Sequence, residues 1–199
     1  MLEVITGCMY SGKSSELIRR LRRHQIAGQE VLAVKPSMDD RYHATGIASH
    51  PTGGESLVLP AEVVRDVNEI RGLMRSRSWQ VLGIDEIQFV SDEIIYVLER
   101  EANAGKRIIV AGLDLDSEGE PFGPMAELLA KADHVTKLTA VCVTTSPVWT
   151  TKGYVKQTCG KPATRSYRLP DQDTGEQVQV GSAGMYEARC RVCWARGRG

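Results

Sequence analysis

Three groups of residues in this 199-residue chain have the types and spacing that do chemistry. Gly7-Cys8-Met9-Tyr10-Ser11-Gly12-Lys13-Ser14 fits G-x-x-x-x-G-K-[ST] in full. Its glycines let the backbone curl so that successive N–H groups converge on phosphate oxygens. Lys13 sets a cation against the β- and γ-phosphates, and the Ser14 hydroxyl can ligate Mg²⁺, so ATP with Mg²⁺ is the expected ligand. The second group is Asp85-Glu86, which closes the apolar run Val81-Leu82-Gly83-Ile84. Asp85 suits magnesium, while Glu86, one residue on, projects differently and can take a proton from a hydroxyl or orient a water. The pair by itself does not separate a kinase from an ATPase. The third group is cysteine. Cys190-x-x-Cys193 has metal-knuckle spacing, and Cys142 and Cys159 complete a four-thiolate set for structural Zn²⁺. The alternative is one chelating pair beside two buried thiols. Cys8 reads as a packing residue rather than a nucleophile.

The elements that must hold these groups are legible as alternating patterns. Apolar, β-branched runs at Val4-Ile5, Val31–Val34, Val81–Ile84, Arg107–Ala111 and Val135–Val141 read as strands. Ser15–Gln25, Ala61–Arg75 and Asp92–Asn103 carry apolar residues at helical spacing. Strand–helix alternation implies an α/β fold with a mostly parallel sheet and helices on both faces, the P-loop (RecA-like) arrangement. After Val141 the texture changes to Thr, Ser, Gly and Pro, and helical periodicity stops. A boundary is expected there, giving an ATP-binding domain over 1–141 and a small, loop-rich, metal-stapled module over 142–199.

Composition narrows the class. Lys+Arg and Asp+Glu number 25 each, so bulk charge does not recruit nucleic acid. Arg19-Arg20-Leu21-Arg22-Arg23 reads as the solvated end of the helix after the phosphate loop, where cations also suit the dipole. No apolar run reaches membrane-spanning length. The first residues lack a basic leader pattern, and an odd count of five Cys argues against a disulfide framework, so a cytoplasmic protein is expected.

Taken together, these motifs resemble the cytosolic, type II thymidine kinases over nearly the whole chain. The carriers, in the family's order, start with Gly7–Ser14 and Ser15-Glu16-Leu17-Ile18-Arg19-Arg20. Asp39-Asp40-Arg41-Tyr42, Gly83–Phe89, Pro121-Phe122-Gly123 and Lys137–Cys142 follow, then Val180-Gly181, Tyr186 and Cys190-x-x-Cys193. The resemblance implies transfer of the ATP γ-phosphate to the 5′-hydroxyl of thymidine, with deoxyuridine as a further acceptor, and a homotetramer. By the same likeness Glu86 matches the catalytic base, Asp85 and Ser14 the Mg²⁺ positions, and Asp39 and Arg41 residues near the phosphates. Ile87 and Gln88 complete the acidic segment on the ATP side. Gln177, Val178, Gln179, Val180 and Gly181 match the lasso loop over thymine; Met9, Leu113 and Tyr186 match nucleoside contacts.

Two departures from the family pattern stand out. Ser117 occupies the position of a nucleoside-contacting phenylalanine, and the sequence leaves open whether Trp149 replaces it. Thr145 stands where a second C-x-x-C would place its cysteine, and Cys159 reads as that ligand displaced by an insertion. The longer loop costs roughly 2 kcal/mol of closure entropy, against on the order of 10–16 kcal/mol for structural Zn²⁺ in small peptides, so the metal can still close the set. Two rival classes remain at this point: a P-loop ATPase with a zinc ribbon acting on DNA, and a nucleotide-binding regulator without catalysis.

Overall fold

The computed structural model describes residues 1–37, 46–49, 57–151, 153–169 and 184–197. In chain order the elements are β1 (Leu2–Thr6), α1 (Lys13–Ile26), β2 (Val31–Pro36), β3 (Gly46–Ser49), β4 (Leu57–Pro60), β5 (Glu62–Val64), α2 (Val67–Ser76) and β6 (Val81–Ile84). A 3-10 turn (Ile87–Phe89) leads to α3 (Glu93–Asn103), β7 (Arg107–Gly112), α4 (Met125–Lys131), β8 (His134–Lys137) and β9 (Ala140–Val141). The chain continues through β10 (Thr145–Thr150), β11 (Gly153–Thr158), β12 (Pro162–Ala163), β13 (Arg165–Arg168), β14 (Tyr186–Arg189) and α5 (Arg191–Arg196).

Among the described residues the central sheet runs β5-β2-β6-β7-β1-β8. Every pairing in it is parallel. Strand alternation feeds two cores, because successive side chains leave a strand on opposite faces. Val4, Leu82, Ile108 and Val110 pack with Ile70, Ile94, Val97, Leu98 and Leu128 of α2, α3 and α4. Ile5, Val81, Ile109 and Ala111 face Leu17, Ile18 and Leu21 of α1 on the other side. The helices therefore cover both faces of a parallel sheet, as the sequence implies.

Three segments differ from the sequence reading. The helix expected from Ala61 begins only at Val67, since Asp66 accepts the N–H groups of Asn68 and Glu69 and so fixes the start of α2. The β-branched Val63-Val64 before it joins β2 as edge strand β5. The last parallel strand stops at Lys137 rather than Val141: β9 turns away and pairs with β12. The insertion after Thr144 is a regular antiparallel hairpin, β10–β11, with Trp149 edge-on to Tyr154 at 5.9 Å.

Candidate active site

Strand β1 delivers the chain into the glycine loop at the carboxyl edge of the sheet. Gly7 is indispensable there: at φ +146°, a Cβ would lie 2.4 Å from the Leu138 carbonyl oxygen. Tyr10 also takes a left-handed conformation, φ 64°, so the loop stores backbone strain. Lys13 opens α1, is buried, and donates from Nζ to the Cys8 carbonyl at 3.0 Å. The ammonium is thus held over the loop's interior. The Ser11 hydroxyl is buried with no hydrogen-bond partner, an orphan that a bound oxyanion would satisfy.

One strand, β7, separates β1 from β6, and the acid pair stands at the end of β6 on the same edge. Asp85 is buried and hydrogen-bonded by Ser14. Burial, then the charge of Glu86, pushes its carboxyl up to about 7 against the opposing pull of Ser14 and Lys13. A hydroxyl and a carboxylate are hard oxygen donors of the kind Mg²⁺ takes, so Ser14 and Asp85 fit that ion. Glu86 has φ 49°, rare for a residue with a side chain, so the backbone turns sharply directly after Asp85. Its Oε2 accepts from Gln88 Nε2 at 2.5 Å. Gln88 Oε1 in turn accepts the Leu113 N–H at 3.1 Å, fixing which way the amide points. Gln88 is buried, and Phe89 behind it meets Phe122 edge-on at 5.5 Å. Glu86 is therefore held by a buried amide relay. Ile87 lies fully inside the larger core.

The cysteine module sits directly on the phosphate loop. Cys8 packs with Cys142, Ala163, Ala188 and Cys190, its thiol pushed up by burial, and donates to the Ala163 carbonyl at 3.3 Å. The Met9 N–H donates to Ser166 Oγ at 3.0 Å, and the Tyr10 hydroxyl to the Tyr186 carbonyl at 3.3 Å. Tyr186 is brought to the loop by this contact. The sulfurs of Cys142, Cys159, Cys190 and Cys193 all lie within 4.8 Å of one another, Cys159 and Cys190 at 3.9 Å. A tetrahedral Zn²⁺ with bonds of about 2.3 Å requires sulfurs about 3.8 Å apart, so the set fits the ion. Burial and the neighbouring thiols push Cys193 up to about 12. Burial works to raise the Cys142 thiol, but hydrogen bonds with the Cys190 backbone and with the side chain and backbone of Thr144 draw it down to about 6. Four thiols this close share negative charge only around a cation. The position left by Thr145 is filled by Cys159, carried back to Cys142 by the β10–β11 hairpin.

Among the other sequence-derived residues, Leu113 lies beside Gln88, and Ser117 lies in a turn whose neighbouring ring is Trp194, through an indole N–H to the Ser117 carbonyl at 3.2 Å. Trp149 stands exposed on its hairpin. Asp39, Arg41 and Gln177–Gly181 fall outside the described residues. Sequence reasoning missed Ser166 and Trp194, which carry no motif and acquire a place only when β13 and α5 fold against the loop.

Fold and site define the class first: a parallel α/β protein with a G-x-x-x-x-G-K-S loop facing a carboxylate pair across one strand, joined to a four-cysteine module. A family model described as "Thymidine kinase" matches residues 1–194. A protein named thymidine kinase from Coprothermobacter proteolyticus is 44% identical over 195 residues, covering 96% of this chain and 88% of the relative. Another of that name, from Deinococcus deserti, is 44% identical over 204 residues, covering 96% and 92%. The chain belongs to the thymidine kinase family.

Proposed function

We propose that the protein transfers the γ-phosphoryl group of ATP to the 5′-hydroxyl of thymidine, giving ADP and thymidine 5′-phosphate. The observation that carries this reading is Glu86, held by Gln88 at the same sheet edge as the phosphate loop, while Asp85 beside it is hydrogen-bonded by Ser14. That division of partners leaves one carboxylate for the metal and one for the acceptor hydroxyl. In this reading Gly7–Ser14 bind the triphosphate, with N–H groups, the α1 dipole and Lys13 all presenting positive charge. Lys13 leaves the Cys8 carbonyl for the phosphates. Ser14 and Asp85 would hold Mg²⁺, which would supply charge neutralisation on the β- and γ-phosphates. The Glu86 carboxylate takes the 5′-hydroxyl proton as the oxygen attacks phosphorus and the ADP oxygen leaves. Gln88 keeps Glu86 aimed. Most of the rate comes from positioning and charge neutralisation.

The same reading assigns residues 1–141 to the ATP domain and 142–199 to a zinc-binding module that carries the nucleoside loop. Met9, Leu113, Tyr186 and Gln177–Gly181 then surround the nucleoside, with Asp39 and Arg41 near the phosphates. A homotetramer, a cytoplasmic location and activity on deoxyuridine belong to this reading too. Among the described residues, no helix is long and apolar enough to cross a membrane. The test is incubation with Mg-ATP and each deoxynucleoside in turn, followed by chromatography. Monophosphate forming with thymidine and deoxyuridine supports the reading; ATP hydrolysis without a nucleoside product refutes it.

A further inference from the structure

The turn 114–121 leaves β7 directly after Leu113, whose N–H anchors Gln88, so its position is tied to that of Glu86. It folds on a buried carboxylate: Asp116 Oδ1 accepts the N–H groups of Glu118 and Glu120 at 2.9 and 3.0 Å. Its outer side is closed from the far end of the chain. Gly119 has φ +87°, and a Cβ there would lie 2.9 Å from Trp194 Cη2. Trp194 Nε1 donates to the Ser117 carbonyl at 3.2 Å. The ring is also faced by the Arg165 guanidinium, 6.0 Å from a ring centroid, and Arg165 is itself buried in β13. Trp194 follows Cys193 immediately, and its own N–H donates to the Cys190 carbonyl at 2.9 Å. One indole thus joins the cysteine module to the turn beside the acceptor site.

We propose that Trp194 is a positioning residue for the nucleoside site: its ring on Gly119 and its N–H on the Ser117 carbonyl set the turn 114–121 over the acceptor. This rests on reading the region beside Glu86 as the thymidine site. It also accounts for Ser117. With an indole packed over the neighbouring glycine, the turn has an aromatic ring from α5 and is held without a large side chain of its own. A tether of this kind acts on the acceptor side and leaves the phosphate loop alone, since Trp194 makes its contacts at Ser117 and Gly119 whereas the module holds the loop through Ala163, Ser166 and Tyr186.

The experiment compares the parent with Trp194→Phe, which keeps a ring but loses the donor, and Trp194→Ala, which loses both. Steady-state kinetics give KM for thymidine and for ATP. Amide hydrogen exchange on peptides covering 114–121 and the phosphate loop reads order without turnover, and metal content is measured on each sample. Loss of one neutral hydrogen bond predicts about a fivefold rise in thymidine KM for Trp194→Phe. Trp194→Ala is expected at about thirtyfold or more, with ATP KM within twofold. Exchange across 115–120 should quicken at least tenfold in Trp194→Ala, with the phosphate-loop peptides unchanged. Unaltered exchange and unaltered thymidine KM in Trp194→Ala overturn the proposal. So does a parallel rise of both KM values with loss of metal, which marks the indole as part of the module's fold alone. Quickened exchange in Trp194→Ala, where the parent itself never phosphorylates thymidine, instead overturns the thymidine-site reading and leaves the tether standing.

Discussion

Replacing Cys159 by serine removes one of four sulfurs that lie within 4.8 Å of one another, and its effect should reach the ATP site. The buried cluster around the sulfurs consists of Cys8 from the phosphate loop with Cys142, Ala163, Ala188 and Cys190, all small side chains, so a bound metal would supply most of its order. Structural Zn²⁺ is worth on the order of 10–16 kcal/mol in small domains, far beyond what five such side chains bury. When the module loosens, the phosphate loop loses the Met9 N–H bond to Ser166 and the Tyr10 hydroxyl bond to the Tyr186 carbonyl. Two such bonds at about 1 kcal/mol each come to about 2 kcal/mol, or about thirtyfold in affinity. The weak thiol contact of Cys8 adds little. Titration calorimetry with a non-hydrolysable Mg-ATP analogue, on parent, chelator-treated parent and Cys159→Ser, measures this directly. Circular dichroism confirms that the parallel sheet persists. Metal content should be about one Zn²⁺ per chain in the parent and near zero in the variant. Metal-free protein that binds the nucleotide within about threefold of the parent would refute the coupling.

Two further substitutions probe the acid edge. Asp85 is held at about 7, above an ordinary carboxylate, so between about pH 4 and 7 the folded protein binds a proton that the unfolded chain has released. Stability of the ligand-free protein therefore falls as pH rises through that window. Asp85→Asn removes the penalty: Tm should rise at pH 8, by about 1–3 kcal/mol of stability, and change little near pH 4, while Mg-dependent turnover is lost. A Tm that falls at pH 8 would contradict the buried, proton-holding state. Gln88→Leu leaves the Leu113 N–H without its partner and removes the Gln88 bond to Glu86, so kcat should drop about tenfold or more with ATP KM unchanged. An equal rise in ATP KM would mean that Gln88 serves the nucleotide instead.

Local signals made the phosphate loop and the acid pair readable. Gly7–Ser14 and Asp85-Glu86 are contiguous stretches, and the strands that carry them are short apolar runs bounded by turn residues. What the sequence hid depends on distant partners. Val63-Val64 fits helical spacing with Val67 and Ile70, and only the Asp66 cap and pairing with β2 make it a strand. Helix α4 spans seven residues, Met125–Lys131, too few for periodicity to register. The Thr-rich insertion lacks helical pattern, yet its β-branched and aromatic residues pair as β10–β11 and return Cys159 to Cys142. The φ of Glu86, the Gln88 relay and the Trp194 contact are products of tertiary packing, with no footprint in residue order.

The account stands on Glu86 as the group that accepts the acceptor proton, and Glu86→Gln isolates that role, since the amide keeps the side chain's shape but accepts no proton at neutral pH. General base catalysis contributes ~10²–10⁴-fold, so kcat for thymidine phosphorylation should fall by that much. Mg-ATP affinity, which the proposed mechanism assigns to Lys13, Ser14 and Asp85, should stay within about twofold of the parent. A Glu86→Gln enzyme that phosphorylates thymidine within a few-fold of the parent rate would contradict the mechanism at its centre.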